Sequence, residues 1–169
     1  WEGMLETNFR ARAARLAEEI AATKPDAIGL QEVALWRRGA RGDLGPDSTA
    51  DEVVNDFLEI LQTQLRKRGL NYRTAVKQQE ADITLPVDRT DDGIPEFLGR
   101  LTMHDAILVK RHKNLRIRNA RGANYGDQAI LKIPVPALGT QIPVLRGWTA
   151  VDITRLQGKK RRGKPRPKK

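Results

Sequence analysis

Apolar and polar positions recur along this chain with two periods, and the switches between them mark its elements. Phe9, Ala13, Leu16 and Ile20 fall at helical spacing behind Thr7 and Asn8, either of which caps a helix start; a helix is predicted to about Thr23. Pro25 cannot extend it, because it has no N–H and its ring clashes with the preceding turn. Ala27 to Leu30 is then a short apolar run between turn signals, the pattern of a strand covered on both faces. Ala34 to Ala50 contains Gly39, Gly42, Gly45 and Pro46 and reads as a loop. Ser48 and Thr49, each with an acid three residues on, signal a second helix start. Val53, Val54, Phe57, Leu58, Leu61 and Leu65 would share its buried face, and Gly69 would close it.

The second half switches to period two. Leu70, Tyr72, Thr74 and Val76 alternate with polar or small residues and predict a strand. Gln79 to Gly99 is acidic and rich in turn residues, and is expected to loop over a surface. Ala106 to Val109 is a short buried strand that runs into Lys110, Arg111 and Lys113. Gln128 to Ile133 and Trp148 to Ile153 read as two further strands, with Pro134, Pro136, Gly139 and Pro143 marking a hairpin-like connection between them. The expected fold class is α/β, with a mixed, mostly antiparallel sheet and helices on one face.

One break in this pattern bears on chemistry. Gln31 and Glu32 follow the Ala27 run directly, where a buried strand favours apolar side chains. A carboxylate there must be hydrogen-bonded, paired with a cation or coordinated to a metal. The structural alternative for Glu32 is a buried Glu that pairs with an arginine or caps a loop.

The segment Pro25-Asp26-Ala27-Ile28-Gly29-Leu30-Gln31-Glu32-Val33 resembles the "PDxxxLQE" segment of the endonuclease/exonuclease/phosphatase family. The order of elements from about Thr7 to Ile153 resembles that family as well. The resemblance implies a DNase-I-like α/β sandwich and a phosphoesterase dependent on Mg²⁺ or Mn²⁺. It implies that Glu32 binds the cation, with Gln31 beside it at the edge of the substrate site. Three family motifs have no counterpart in this sequence: a His in a Thr-His-Leu/Phe strand, an Asp-x-Asn pair and a Ser-Asp-His. An Asn-bearing strand ahead of the first helix is also missing, since only Trp1 to Glu6 precede it. What is implied is the N-terminal half of such an enzyme, catalytically incomplete by itself.

Hydrolysis of a phosphate ester needs a base to activate water and a group to orient it, besides a cation that neutralises phosphoryl charge. His104 and Asp105 are the candidates for base and orienter, although neighbours on a strand point to opposite faces. Tyr72, with Asn124 and Tyr125, is a candidate for contacting phosphate; a half-buried strand role is the alternative for Tyr72. Glu80, Asp82, Asp88, Asp91 and Asp92 could gather a second cation, but their spacing matches no EF-hand loop.

Composition adds bounds. A chain of 169 residues with 39% apolar content suits one domain, placed at 1–154. Residues 155–169 carry nine cations and no acid, so removing them from a net charge of +10 leaves the body near +1. Such a run cannot bury a core and is expected to be a disordered tail that binds polyanions without sequence preference. The absence of cysteine excludes disulfides and Cys-based zinc sites. No apolar run approaches the roughly 18 residues that span a bilayer, and no signal-peptide pattern opens the sequence; a cytosolic and an exported protein fit equally. Three function classes follow: a metal-dependent phosphoesterase, a nucleic-acid-binding module working through its basic tail, or a non-functional truncated product.

Overall fold

A computed structural model describes residues 1–126, 130–135 and 140–156. A short helix α1 (Glu2–Glu6) precedes α2 (Phe9–Thr23). The α2 N-terminus is held as its sequence predicts, with the Asn8 side chain accepting from the Ala11 N–H. Strands β1 (Ala27–Arg38), β2 (Glu52–Asp56), β3 (Tyr72–Val87) and β4 (Phe97–Lys110) form one sheet in the order β2-β1-β4-β3. Helix α3 (Phe57–Lys67) lies between β2 and β3 in the chain. Strands β5 (Leu115–Asn124) and β8 (Gly147–Arg155) pair as a ribbon, and β6 (Ile130–Val135) pairs with β7 (Thr140–Leu145) as a hairpin. Every described pairing is antiparallel, so the sheet is simpler than the mixed one expected.

Helices α2 and α3 pack on one face of the four-stranded sheet, as expected. Ala13, Ala17, Leu61, Leu65, Leu70, Tyr72 and Leu108 form the core between them, with Ile28 and Leu30 of β1 packed against it. Phe9 and Phe57 stack across the two helices with ring centroids 3.7 Å apart. Each large apolar side chain buried here contributes about 1.5–3 kcal/mol. The β5–β8 ribbon packs on the opposite face, against β3 and β4. The two sides are called here the helix face and the ribbon face. Further along the ribbon face, Trp1, Trp36, Ile83, Leu85 and Leu101 line an apolar hollow of about 420 Å³.

Several expected boundaries move, each for a physical reason. The Ala27 strand does not end at Leu30 but runs to Arg38, and over Ala27–Leu30 only its helix face is covered: Ala27 and Gly29 are exposed. The expected loop therefore shrinks to the residues after Arg38. The helix expected behind Ser48 and Thr49 begins instead at Phe57, capped by Asp56, whose side chain accepts from the Glu59 N–H at 2.9 Å. Val53 and Val54 lie instead in β2, where pairing with β1 suits their β-branched side chains. The expected surface loop Gln79–Gly99 is mostly a long β3–β4 hairpin. Its turn chemistry is confined to Asp88–Glu96, where Asp88 accepts from the N–H groups of Thr90, Asp91 and Gly93.

Strand β5 went unpredicted, although Leu115 and Ile117 alternate with Arg116 and Arg118. In β6, residues 127–129 of the expected strand lie outside the described residues. Pro134 and Pro143 sit within the β6–β7 hairpin, tolerated in a two-stranded pairing; Pro136 and Gly139 lie outside the described residues. Arg155 belongs to β8 and pairs with Asp26, so the last strand outruns the expected domain end at 154. The remainder of the basic tail, 157–169, lies outside the described residues.

Candidate functional site

Strand β4 is central, and each of its neighbours carries a bulge at the same level. In β1, Leu30 pairs with Ala106 and Val33 with His104, so Gln31 and Glu32 together oppose Asp105. In β3, Gln79 pairs with His104 and Ala81 with Met103, leaving Glu80 as the extra residue. An extra residue reverses the in–out alternation beyond it and re-aims the side chains at the bulge. In an unbroken alternation with Leu30, Glu32 would lie on the helix face. The bulge delivers it to the ribbon face beside Asp105, at the cost of a left-handed backbone at Glu32, φ +53°.

Three carboxylates are thus brought to one place. The Glu32 N–H donates to Asp105 Oδ1 at 3.1 Å, which holds the bulge closed. Glu80 is buried, and its Oε1 accepts from the Gly147 N–H at 3.1 Å. Burial, then the neighbouring Asp105 carboxylate, pushes the Glu80 carboxyl above its ordinary range. Arg146, at the β7–β8 turn, places Nη1 3.6 Å from Glu32 Oε1. The Tyr125 N–H donates to the Arg146 carbonyl at 2.8 Å, tying the end of β5 to that turn. Gln31, Glu32, Glu80, Asp105, Tyr125, Arg146 and Gly147 line an open cleft of about 490 Å³.

The sequence-predicted residues divide sharply. Glu32, Gln31 and Asp105 meet in the cleft. The structural alternative for Glu32 holds in part: it pairs with an arginine, Arg146, at 3.6 Å, but it is not buried, its side chain being 63% exposed. His104 is on the other face of β4, in register with Val33 and only 8% exposed, so it cannot act with Asp105. Burial, then Lys77, lowers its pKa and favours the neutral ring. Tyr72 is a core residue on the helix face; its hydroxyl donates to the Pro25 carbonyl at 2.6 Å, and it does not line the cleft. Strand alternation decides both corrections.

The acidic set expected to gather a second cation is dispersed. Glu80 is in the cleft, Asp82 is on the helix face with Arg100 and Arg37, and Asp88 and Asp92 accept backbone N–H groups in the hairpin turn. Asn124 accepts from Gln78 Nε2 at 3.1 Å rather than facing the cleft, whereas Tyr125 does line it. Arg146 escaped sequence reasoning. Its available signal is a cation and a glycine set directly before an apolar strand. Glu80 carries a comparable one, as the last of four polar residues, Lys77 to Glu80, interrupting β3.

A second hollow of about 490 Å³ lies at the far end of β1, between Arg38, Arg41, Glu52, Arg89 and Glu96. Its charges offset one another, since Arg38 grips Glu52 with two hydrogen bonds, at 2.8 and 2.9 Å. Of these two clefts, the first concentrates like charge.

Among the described residues, no group of three or more His, Cys, Asp or Glu side chains converges as a cage for a metal ion. A small hard cation takes one or two carboxylates and completes its shell from water and substrate, and Glu32 is the exposed carboxylate of this cleft. Burial and the neighbouring Asp105 raise the Glu80 carboxyl, while the Gly147 N–H and Arg146 act against that shift. No family model, curated protein or solved structure matches the chain. No described helix is long and apolar enough to cross a membrane.

Proposed function

We propose that the cleft at the two bulges is the remnant or half-site of a metal-dependent phosphoesterase, hydrolysing phosphodiester or phosphomonoester bonds. The observation that carries this reading is the convergence of Glu32, Glu80 and Asp105 on one face through bulges in both strands flanking β4. The layer order of helices, sheet and ribbon is what part of a DNase-I-like sandwich would present, and the LQE resemblance supports the same assignment.

Glu32 offers the exposed carboxylate and is the residue that would hold Mg²⁺ or Mn²⁺, with Asp105 and Glu80 behind it. Bound there, the cation supplies charge neutralisation on the phosphoryl oxygens. Asp105 positions Glu32 through its backbone N–H. Arg146, half exposed at the cleft mouth, faces the incoming phosphate with a fixed positive charge. Gln31 supplies a neutral amide at the substrate edge. No histidine lines the cleft among the described residues, so proton transfer to and from water lacks an efficient base. The chain alone is expected to turn over slowly or not at all.

Binding and turnover therefore need separate tests. Mn²⁺ titration followed by electron paramagnetic resonance should show a site on the full chain that Glu32→Ala weakens at least about tenfold, the scale on which metal sites respond to loss of supporting groups. Mg²⁺-dependent cleavage of a chromogenic phosphodiester should be weak and should vanish in the same variant. Equal Mn²⁺ binding by both proteins would rule the assignment out.

A further inference from the structure

The outer surface of the β5–β8 ribbon carries three arginines of β5, Arg116, Arg118 and Arg121, against one acid of β8, Asp152. Lys110, at the end of β4, and Arg111 and Lys113, in the connection to β5, precede them in the chain. Alternation in β5 buries part of Leu115 and Ile117 against the sheet and leaves Arg116 and Arg118 exposed. A bulge between Arg118 and Arg121, with Asn119 at φ +50°, resets the alternation so that Arg121 and Tyr125 are also exposed. The bulge keeps the arginines on one side, as a regular strand would not.

Aromatic rings interleave this row. Trp148 of β8 pairs with Ala123, and the Arg121 guanidinium carbon lies 6.0 Å from its ring centroid. Tyr125, 60% exposed, ends the row at the cleft mouth. Alternate residues of a strand are about 6.8 Å apart, so Arg116 and Arg118 present charges at a regular, extended spacing. Among the described residues neither makes an ion pair. Asp152 is the acid opposite Arg118, and it is engaged by Asn119 Nδ2 at 2.6 Å.

We propose that this ribbon face is a docking track for single-stranded nucleic acid, separate from the basic tail and leading towards the cleft. Exposed cations at strand spacing match a flexible phosphate backbone, and rings set between them provide platforms on which unpaired bases stack. Duplex DNA offers no free base faces for Trp148 and Tyr125. An anionic membrane offers charge but no base faces to stack on the half-buried Trp148 and the exposed Tyr125. The inference rests on the ribbon alone and does not need the cleft to be catalytic.

The test uses the full chain in EDTA, so that hydrolysis plays no part, and a fluorescent 20-nucleotide oligothymidylate as probe. The Arg116→Gln/Arg118→Gln double variant should reduce the slope of log affinity against log salt by about 1.4, at about 0.7 per single-strand phosphate contact. Trp148→Ala should weaken binding about tenfold with the slope retained, because stacking is lost rather than charge. Circular dichroism checks that each variant is folded; if Trp148→Ala is not, Trp148→Phe replaces it, with weakening of about threefold expected from the smaller ring. Unchanged binding in the ribbon variants, with loss on Lys159→Gln/Lys160→Gln/Arg161→Gln/Arg162→Gln, would overturn the proposal and assign binding to the tail. Tighter binding to duplex DNA of equal length, or to phosphatidylserine vesicles, would overturn it as well.

Discussion

On the helix face of β4, Asp82 takes two hydrogen bonds from the Arg100 guanidinium, at 2.5 and 2.7 Å, and a third from the Thr102 hydroxyl. Arg37 stands 3.5 Å away on the other side and donates to Thr102. On the ribbon face of the same strand, Asp105 sits among Glu80 and Glu32 with one loosely placed arginine. Both regions are polar and both lie in the middle of a sheet, yet one matches its charges and the other concentrates them. A network of opposite charges stabilises the fold. A cluster of like charges costs stability and is retained where something else must bind. That contrast is what supports placing the proposed site on the ribbon face.

The largest expected effect breaks the stable side outright. Leu108 is fully buried beneath α2 and α3, so Leu108→Ala should cost about 2–5 kcal/mol through lost transfer energy and a residual cavity. Urea unfolding measures it, and a loss under about 1 kcal/mol would show that the helices do not bury this strand as tightly as described. Next comes Asp82→Ala, expected to cost about 2 kcal/mol at neutral pH because it strands Arg37 and Arg100 together. Arg100 holds the Asp82 carboxyl below its usual range. Its contribution is therefore present above the ordinary aspartate pKa and lost as pH falls through the depressed one. The gap between parent and variant should close in acid. A gap independent of pH would mean the loss is one of packing.

How much of this was legible in the sequence depends on whether periodicity or register carried the information. Helix α2 was readable because Asn8, the Phe9–Ile20 spacing and Pro25 agree locally. The strand at Val53–Asn55 was not, because its β-branched residues continue the helical spacing of Phe57–Leu65, and only pairing with β1 separates them. The β3–β4 hairpin hid behind acids that the structure distributes between ion pairs and turn caps. At the site, Glu32 and Gln31 stood out as polar residues after an apolar run. The partnership with Glu80 and Arg146 did not, since it depends on two bulges and a turn far apart in the chain. Alternation was enough to doubt His104 with Asp105, and the structure bears out that doubt.

The third prediction removes a carboxylate from the other face and expects the opposite sign. Burial, then Asp105, raises the Glu80 carboxyl above its ordinary range, so the folded chain favours the protonated acid. Glu80 thus contributes fully below the unfolded-state value, near pH 4, and that contribution is lost as pH rises through the raised one. Glu80→Gln keeps an acceptor for the Gly147 N–H and removes the charge. In EDTA it should raise the thermal midpoint by a few degrees at neutral pH and leave it unchanged near pH 4. A lower midpoint at neutral pH would mean that Glu80 is offset by a cation of the chain, and the contrast between the faces would fail.

The smallest effect sharpens the contrast most, because it sets backbone strain against ligand chemistry at one residue. Glu32 adopts φ +53°, a conformation that costs a residue with a Cβ about 1 kcal/mol and glycine little. Glu32→Gly should therefore recover part of that strain, offset by glycine's greater chain entropy in the unfolded state. The net gain is expected to be a few tenths of a kcal/mol to about 1, against a clear loss for glycine at Val33 next to it in the regular strand. Mn²⁺ binding should disappear in the same protein. Stability up and binding gone would identify position 32 as strained for the sake of its carboxylate. Should Glu32→Gly unfold more easily than the parent, the bulge would be held by the glutamate side chain itself, and its left-handed backbone would need a structural reason instead.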